Sequence, residues 1–285
     1  MPLVASPLFR LCAALPLGVL HALGTLLGWA MYLGSPVYRR NLRANLAQAG
    51  IGDAATRRAA ITAAGKMLAE LPAIWLRPKE EVLGWVRRIE GEEALLEARR
   101  EGKGIVFLTP HHGCFEITAQ AAAARFPITV LYRAPRLRFL QPFVERGRSG
   151  ANLRLAGADF GGVRDLLGAL KRGETIGILP DQVPGEGEGA WADFFGRPAY
   201  TMTLAMRMAA RPDSATFLAF GERLPRAAGF VIHLRRLGSP LDGETPERHL
   251  NRALESLVRE CPAQYLWGYN RYKPPRPSRA MKKPA

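Results

Sequence analysis

The stretch Thr109-Pro-His-His-Gly-Cys-Phe-Glu116 concentrates side chains able to move protons, attack carbonyls or bind metals. His111 and Glu116 stand five apart. On a straight helix of 3.6 residues per turn that spacing leaves them about 140° apart. They meet only if His111 lies on a strand-to-helix turn and Glu116 in the first helical turn, and Gly113 between them lets the backbone bend sharply. An imidazole held by a carboxylate is a tuned general base, because the acid sets the tautomer and stabilises the imidazolium. No serine nucleophile is near in sequence, which suits direct attack by an acceptor hydroxyl on an activated acyl donor. Three other readings remain open. A His-Glu pair is often a plain structural network. His111, His112, Cys114 and Glu116 offer metal-ligating types, although no distal Cys/His pair has zinc spacing. Cys114 is a potential nucleophile whose only neighbouring activators are the histidines.

The elements around this turn alternate in type. Gly104–Thr109 reads as a strand and Phe115–Arg125 as a helix, followed by a strand over Ile128–Tyr132 and a helix over Phe139–Glu145. Asn152–Leu155 and Thr175–Leu179 read as strands flanking a helix over Val163–Leu170. Later, Ala215–Phe220 and Phe230–Leu234 look like paired strands, and Pro246–Glu260 has helical spacing. The pattern predicts an α/β fold with a mixed, largely parallel sheet flanked by helices, with function at the carboxyl ends of the strands.

The 285 residues are 48% hydrophobic, enough for a core and incompatible with disorder. Cys12, Cys114 and Cys261 are scattered and odd in number, so no disulfide framework is implied. The net charge of +15 sits mostly at the two ends. Residues 1–52 carry Arg10, Arg39, Arg40 and Arg43 with no acid, and residues 261–285 carry Arg271, Lys273, Arg276, Arg279, Lys282 and Lys283 with none. Basic ends suit either a nucleic acid or an anionic membrane surface. Positions 11–38 hold no charged residue, and about 20 apolar residues suffice to cross a bilayer. A membrane helix, spanning or deeply interfacial, is therefore expected, with a buried core helix and a signal peptide as alternatives. Arg39, Arg40 and Arg43 place its carboxyl end in the cytoplasm. The organisation expected is an anchor over 1–40, a globular domain with a helical start (about 41–77) over 41–275, and a basic, proline-rich tail over 276–285, disordered at its end.

Beyond these readings, Thr109-Pro-His-His-Gly-Cys-Phe-Glu116 resembles the His-x4-Asp/Glu motif of glycerolipid acyltransferases. The chain as a whole, over about residues 5–275, resembles the lauroyl/myristoyl lipid A acyltransferases of Gram-negative bacteria. The blocks that carry this, in order, are Val130-Leu-Tyr-Arg133, Arg146-Gly-Arg148, Gly173-Glu174 with Leu179-Pro-Asp-Gln182, Phe194-Phe-Gly196 with Thr201, and Pro262-Ala-Gln-Tyr-Leu-Trp267 with Asn270-Arg-Tyr-Lys273. The pattern departs at Cys114, where a polar residue such as Asn is common, and at Phe115, often Trp. The resemblance implies transfer of an acyl chain from acyl carrier protein to a hydroxyl of a phosphorylated glucosamine disaccharide glycolipid, at the cytoplasmic face of the inner membrane. It implies catalysis by His111 and Glu116, no cofactor and no metal. Other acceptors, such as a different glycolipid or a lysophospholipid, remain an alternative. Residues 125–154 hold seven arginines against the single acid Glu145. By motif match Arg133, Arg148 and Asp181 are expected to bind substrate, with arginine forks suited to phosphate. No nucleic-acid partner is expected, since no recognition motif accompanies the charge.

Overall fold

A computed structural model describes residues 2–135, 140–148 and 150–277. The chain begins with four helices: α1 (Pro2–Ala14), α2 (Leu17–Gly34), α3 (Pro36–Gln48) and α4 (Ala54–Leu76). The short α5 (Lys79–Leu83), strand β1 (Val86–Glu90) and α6 (Glu92–Arg100) lead to β2 (Gly104–Leu108). Then come α7 (Phe115–Ala123), β3 (Ile128–Tyr132), α8 (Gln141–Gly147), β4 (Leu153–Gly157), α9 (Phe160–Lys171) and β5 (Thr175–Ile178). A hairpin of β6 (Gly189–Phe194) and β7 (Arg197–Met202) precedes α10 (Thr203–Ala209), β8 (Ser214–Arg223), β9 (Phe230–Arg236) and α11 (Pro246–Glu260).

Seven strands form one sheet in the order β1-β9-β8-β2-β5-β3-β4. Pairing from β8 through β4 is parallel, β9 returns antiparallel to β8, and β1 runs parallel to β9. This is the expected mixed, largely parallel sheet. Strand β2 lies at its centre and all five of its residues are buried, as in a strand covered on both faces. Val106 and Leu108 face one core with α9, α10 and α11, while Ile105 and Phe107 face another with α6 and α7. Helix α11 buries Leu250, Leu254, Leu257 and Val258, an i, i+4, i+7, i+8 stripe. It starts where Thr245 caps Arg248 N with Pro246 in the first turn.

The stretch read as helical over 41–77 is two helices, because Gly50 turns the chain at φ +70° and Asp53 starts α4 by accepting from the amides of Ala55 (3.0 Å) and Thr56 (2.9 Å). The sequence reading omitted β1, whose Val86-Arg-Arg-Ile-Glu90 is too polar at this sheet edge to stand out. Phe139, taken as the start of a helix, and residues 278–285 of the tail lie outside the described residues.

The uncharged N-terminal stretch is broken at Pro16 into α1 and α2. Helix α2 packs antiparallel along α4. Gly24 and Gly28 lie so close to Ile61, Gly65 and Lys66 that any Cβ there would strike backbone. At the same crossing His21 Nε2 lies 2.6 Å from Glu70 Oε1 of α4, which is fully buried. Arg223, at the end of β8, holds both oxygens of Glu70 through Nε and Nη2. The N-terminal helices are thus a layer of the folded body.

Candidate active site

The parallel neighbours β2 and β5 end side by side, Leu108 opposite Ile178. Their next residues bring together the candidate chemistry at the carboxyl edge of the sheet, the usual place for a ligand in an open α/β sheet. After β2 the chain turns through Thr109–Cys114 into α7. Gly113 sits at φ +59°, with a Cβ position blocked by the Gly221 carbonyl of β8. The turn is pinned from both sides. Cys114 N donates to Gly221 O at 2.7 Å, Gly113 N donates to Gln264 O at 3.0 Å, and Leu266 N donates to His111 O at 3.0 Å.

These bonds leave His111 partly exposed with its ring directed at Asp181, which follows β5. His111 Nδ1 lies 2.8 Å from Asp181 Oδ1, and the His111 amide donates to Oδ2 at 2.9 Å. Asp181 is buried, and Tyr265 contributes a further hydrogen bond to it. Burial acts to raise the Asp181 pKa, but the nearby His111 and its hydrogen bonds outweigh this and hold the carboxyl below its ordinary value. With Nδ1–H donating to Asp181, Nε2 is left as the acceptor, and the Gln182 side-chain nitrogen stands 3.2 Å from it. This is a histidine in the tautomer of a general base.

The expected His111–Glu116 contact is replaced by a different pairing. Glu116 is in the first turn of α7, as anticipated, but its side chain points toward α8 and is 2% exposed. There it meets Arg148, which donates from Nε at 3.0 Å to one oxygen and from Nη2 to the other. The physical reason is the tightness of the turn: His111 leaves it toward β5, Glu116 toward the opposite flank. Burial acts to lower the Arg148 pKa, and the Glu116 carboxylate outweighs it, so the guanidinium stays firmly charged. Arg148 is therefore spent on Glu116 and does not present a free fork to a substrate phosphate. Asp181, expected to touch substrate, instead holds His111. Arg133 is 68% exposed, with Glu188 at 3.8 Å as its only ion-pair neighbour among the described residues. Arg136 and Arg138 lie outside the described residues.

His112 is wholly buried, its ring 4.3 Å from that of Phe220, and burial pushes its pKa down to about 3, so it is neutral. Cys114 is buried too, and burial drives its thiol well above the ordinary value. A thiol in that setting is a packed apolar group, not a nucleophile. Among the described residues no three His, Cys, Asp or Glu side chains converge as a metal site.

Sequence reasoning missed the role of the last of the blocks quoted above. Tyr265 and Gln264 brace the turn that carries His111, and Arg271, counted there among the basic tail charges, is buried. It donates to Tyr200 O at 2.7 Å and Thr201 Oγ1 at 2.8 Å. The signal available was the mixture of Tyr, Trp and Arg in a segment with no helical or strand period. Beside His111, an apolar slot runs between α7 and the sheet, bounded by Thr109, Phe115, Thr118, Phe126, Ile128 and Leu179. The Phe115 ring that lines it lies 4.9 Å from that of His111.

A family model described as bacterial lipid A biosynthesis acyltransferase matches residues 4–274. The lipid A biosynthesis palmitoleoyltransferase of Escherichia coli (strain K12) is 26% identical over 212 residues, covering 73% of this chain and 68% of that protein. The lipid A biosynthesis lauroyltransferase of the same strain is 26% identical over 216 residues, covering 73% and 69%. A lipid A biosynthesis acyltransferase of Haemophilus influenzae is 25% identical over 182 residues, covering 62% and 56%. With a match that runs almost from end to end, the chain belongs to the bacterial lipid A biosynthesis acyltransferases.

Proposed function

We propose that this acyltransferase moves a fatty acyl chain from acyl carrier protein to a hydroxyl of a lipid A precursor, at the cytoplasmic face of the inner membrane. The observation that carries the chemistry is the His111–Asp181 pair, with Nε2 an acceptor met only by the Gln182 amide and an apolar slot nearby. In the reaction the acceptor hydroxyl displaces the Gln182 amide from Nε2. As its oxygen forms the new bond to the thioester carbonyl carbon, the hydroxyl proton passes to His111. Asp181 stabilises the imidazolium through Nδ1–H. The carbon–sulfur bond then breaks, and the departing thiolate takes the proton from Nε2. A thioester is already activated, so no covalent enzyme intermediate is needed, in keeping with the buried Cys114.

On this reading the acyl chain starts in the apolar slot under α7. Glu116 and Arg148 act as a bolt between α7 and α8, so Glu116 serves the reaction by keeping the catalytic turn in place. Arg133, an exposed cation of the matched blocks, is placed to meet an acceptor phosphate. The membrane setting follows from the exposed apolar face of α2 and the lipid nature of the acceptor.

The test is mass spectrometry of lipid A from a strain lacking this gene, before and after complementation with the wild-type gene or with His111→Ala. Loss of one acyl chain, restored only by the wild type, is expected. An unchanged lipid A together with a missing acyl group on another lipid would move the acceptor to that lipid. In vitro, purified membranes should acylate the precursor with acyl carrier protein thioester as donor.

A further inference from the structure

Helix α2 has the length and hydropathy of a membrane span, but its partners are not those of one. Its 18 residues measure about 27 Å at 1.5 Å per residue, barely the thickness of the hydrocarbon layer. One face is buried on α4 from Leu17 to Tyr32. Its middle, Gly24, lies directly against the backbone of Lys66, and His21 reaches Glu70. If the midpoint of α2 stood at the bilayer centre, Lys66, Glu70 and Arg223 would stand near it. Ionised side chains at that depth are costly. Farther along α4 come Arg57 and Arg58.

Both ends of the apolar stretch are also tied to the catalytic body. Phe9 of α1 stacks on Phe143 of α8 with ring centroids 4.8 Å apart. Arg77, just after α4, donates to the carbonyl oxygens of Ala13 (2.5 Å) and Leu15 (2.7 Å) where α1 meets α2. At the other end Arg39 donates to the carbonyls of Tyr32 and Leu33, each at 3.2 Å. A segment held at its start, break, middle and end by one globular body has no free length with which to cross.

What it does present is a continuous apolar face: Val19, Leu23, Leu26, Leu27 and Leu33 are all exposed, and Val37 of α3 extends the line. Arg10, Arg40 and Arg43 are exposed around it and have no hydrogen-bond or ion-pair partner among the described residues. An apolar stripe fringed with unpaired arginines fits one leaflet of an anionic bilayer, the apolar face sunk by about 5–10 Å and the cations at headgroup level.

We infer that α1 and α2 lie in the plane of the cytoplasmic leaflet as part of the catalytic body, with Arg10 and Arg39 on the same side of the membrane, and do not span it. This rests on the membrane setting proposed above. The experiment places a single reporter at Arg10→Cys, or as a control at Ala44→Cys, in the full-length chain carrying Cys12→Ala and Cys261→Ala; Cys114 is buried and stays. Spheroplasts and inside-out membrane vesicles are treated with a membrane-impermeant maleimide and read by mobility shift. The expected result is labelling of both reporters in inside-out vesicles and loss of labelling of both in spheroplasts. Labelling at position 10 from the spheroplast side only, with position 44 labelled only in vesicles, would establish a spanning helix and overturn the inference. Recovery of the protein in the soluble fraction would also overturn it. Acyl transfer is assayed on the same preparations, so either failure can be told apart from failure of the functional proposal.

Discussion

Two histidine–carboxylate pairs in this molecule use the same chemistry for opposite ends. His21 and Glu70 lie beneath α2, where Arg223 occupies both oxygens of the acid and little of either side chain reaches solvent. His111 and Asp181 lie at the carboxyl edge of the sheet, where one ring nitrogen is held by the acid and the other meets the neutral amide of Gln182. The first pair is closed, with both carboxylate oxygens held by Arg223, and it ties α2 to the sheet. In the second, Nε2 meets only the neutral Gln182 amide, a partner that a substrate hydroxyl could displace. On the proposed mechanism, what separates the two pairs is the partner at the second position, not the presence of histidine and acid as such.

Several substitutions would break or sharpen that contrast. The largest effect belongs to the open pair. His111→Ala should lower turnover by about 10²–10⁴, the usual worth of a general base, with the melting temperature little changed. Asp181→Asn should also fall steeply, because an amide can fix the wrong tautomer. Near-normal turnover in a folded His111→Ala protein would remove the mechanism. The closed pair should show the reverse profile. Glu70→Gln strands the buried Arg223 and should cost roughly 3–5 kcal/mol of stability in denaturant titration, the usual penalty for breaking a buried ion pair. Turnover per folded molecule should change far less. The sign of its pH dependence follows from the Glu70 pKa, which burial acts to raise but Arg223 holds below the ordinary 4.5. This contribution is complete above that value and is lost as pH falls through the lower, folded-state pKa.

Arg148→Ala belongs between the two. It leaves the buried Glu116 without a counter-ion and loosens the catalytic turn, so turnover and stability should drop together, with Arg148→Lys recovering part. The loss should be the same on phosphorylated and dephosphorylated acceptors. A loss confined to the phosphorylated acceptor would return Arg148 to the substrate. Next, His112 is kept neutral by burial, with a pKa of about 3 against 6.5 unfolded. The unfolded chain takes up its proton first as pH falls, so this stabilisation is intact above pH 6.5 and is lost progressively down to about pH 3. His112→Phe, which keeps the ring against Phe220, should flatten that part of the stability profile. The smallest effect is reserved for Cys114→Ala, which should retain most activity. Intact-mass measurement should find no acyl group on the wild-type cysteine, and trapping one there would replace direct transfer with a two-step route.

Much of the fold was legible because its signals are local. Strand β3 and helix α11 begin and end at the residues where periodicity and capping place them, since a five-residue apolar run and an i, i+4, i+7 stripe act within one element. The edge strand β1 was missed because its residues alternate weakly and it is recruited only by pairing with β9, far along the chain. The break at Pro16 was open to a local reading as well, but a continuous uncharged run hid it.

The sequence by itself determined that His111 would stand on a turn at the end of a buried strand, that Glu116 would open the following helix, and that a long apolar segment would lead the chain. Composition, spacing and the glycine at 113 suffice for those. Only the tertiary structure decided which acid serves which base. Asp181 lies 70 residues from His111, and the two become neighbours because β2 and β5 pair in parallel register, a contact that no local pattern encodes. It likewise decided that Glu116 and Arg148 would satisfy each other and that the apolar leader would fold back on α4 through glycine contacts and a buried ion pair. A buried charge takes whatever counter-charge the packing brings within hydrogen-bonding distance, and that distance is set by the fold as a whole.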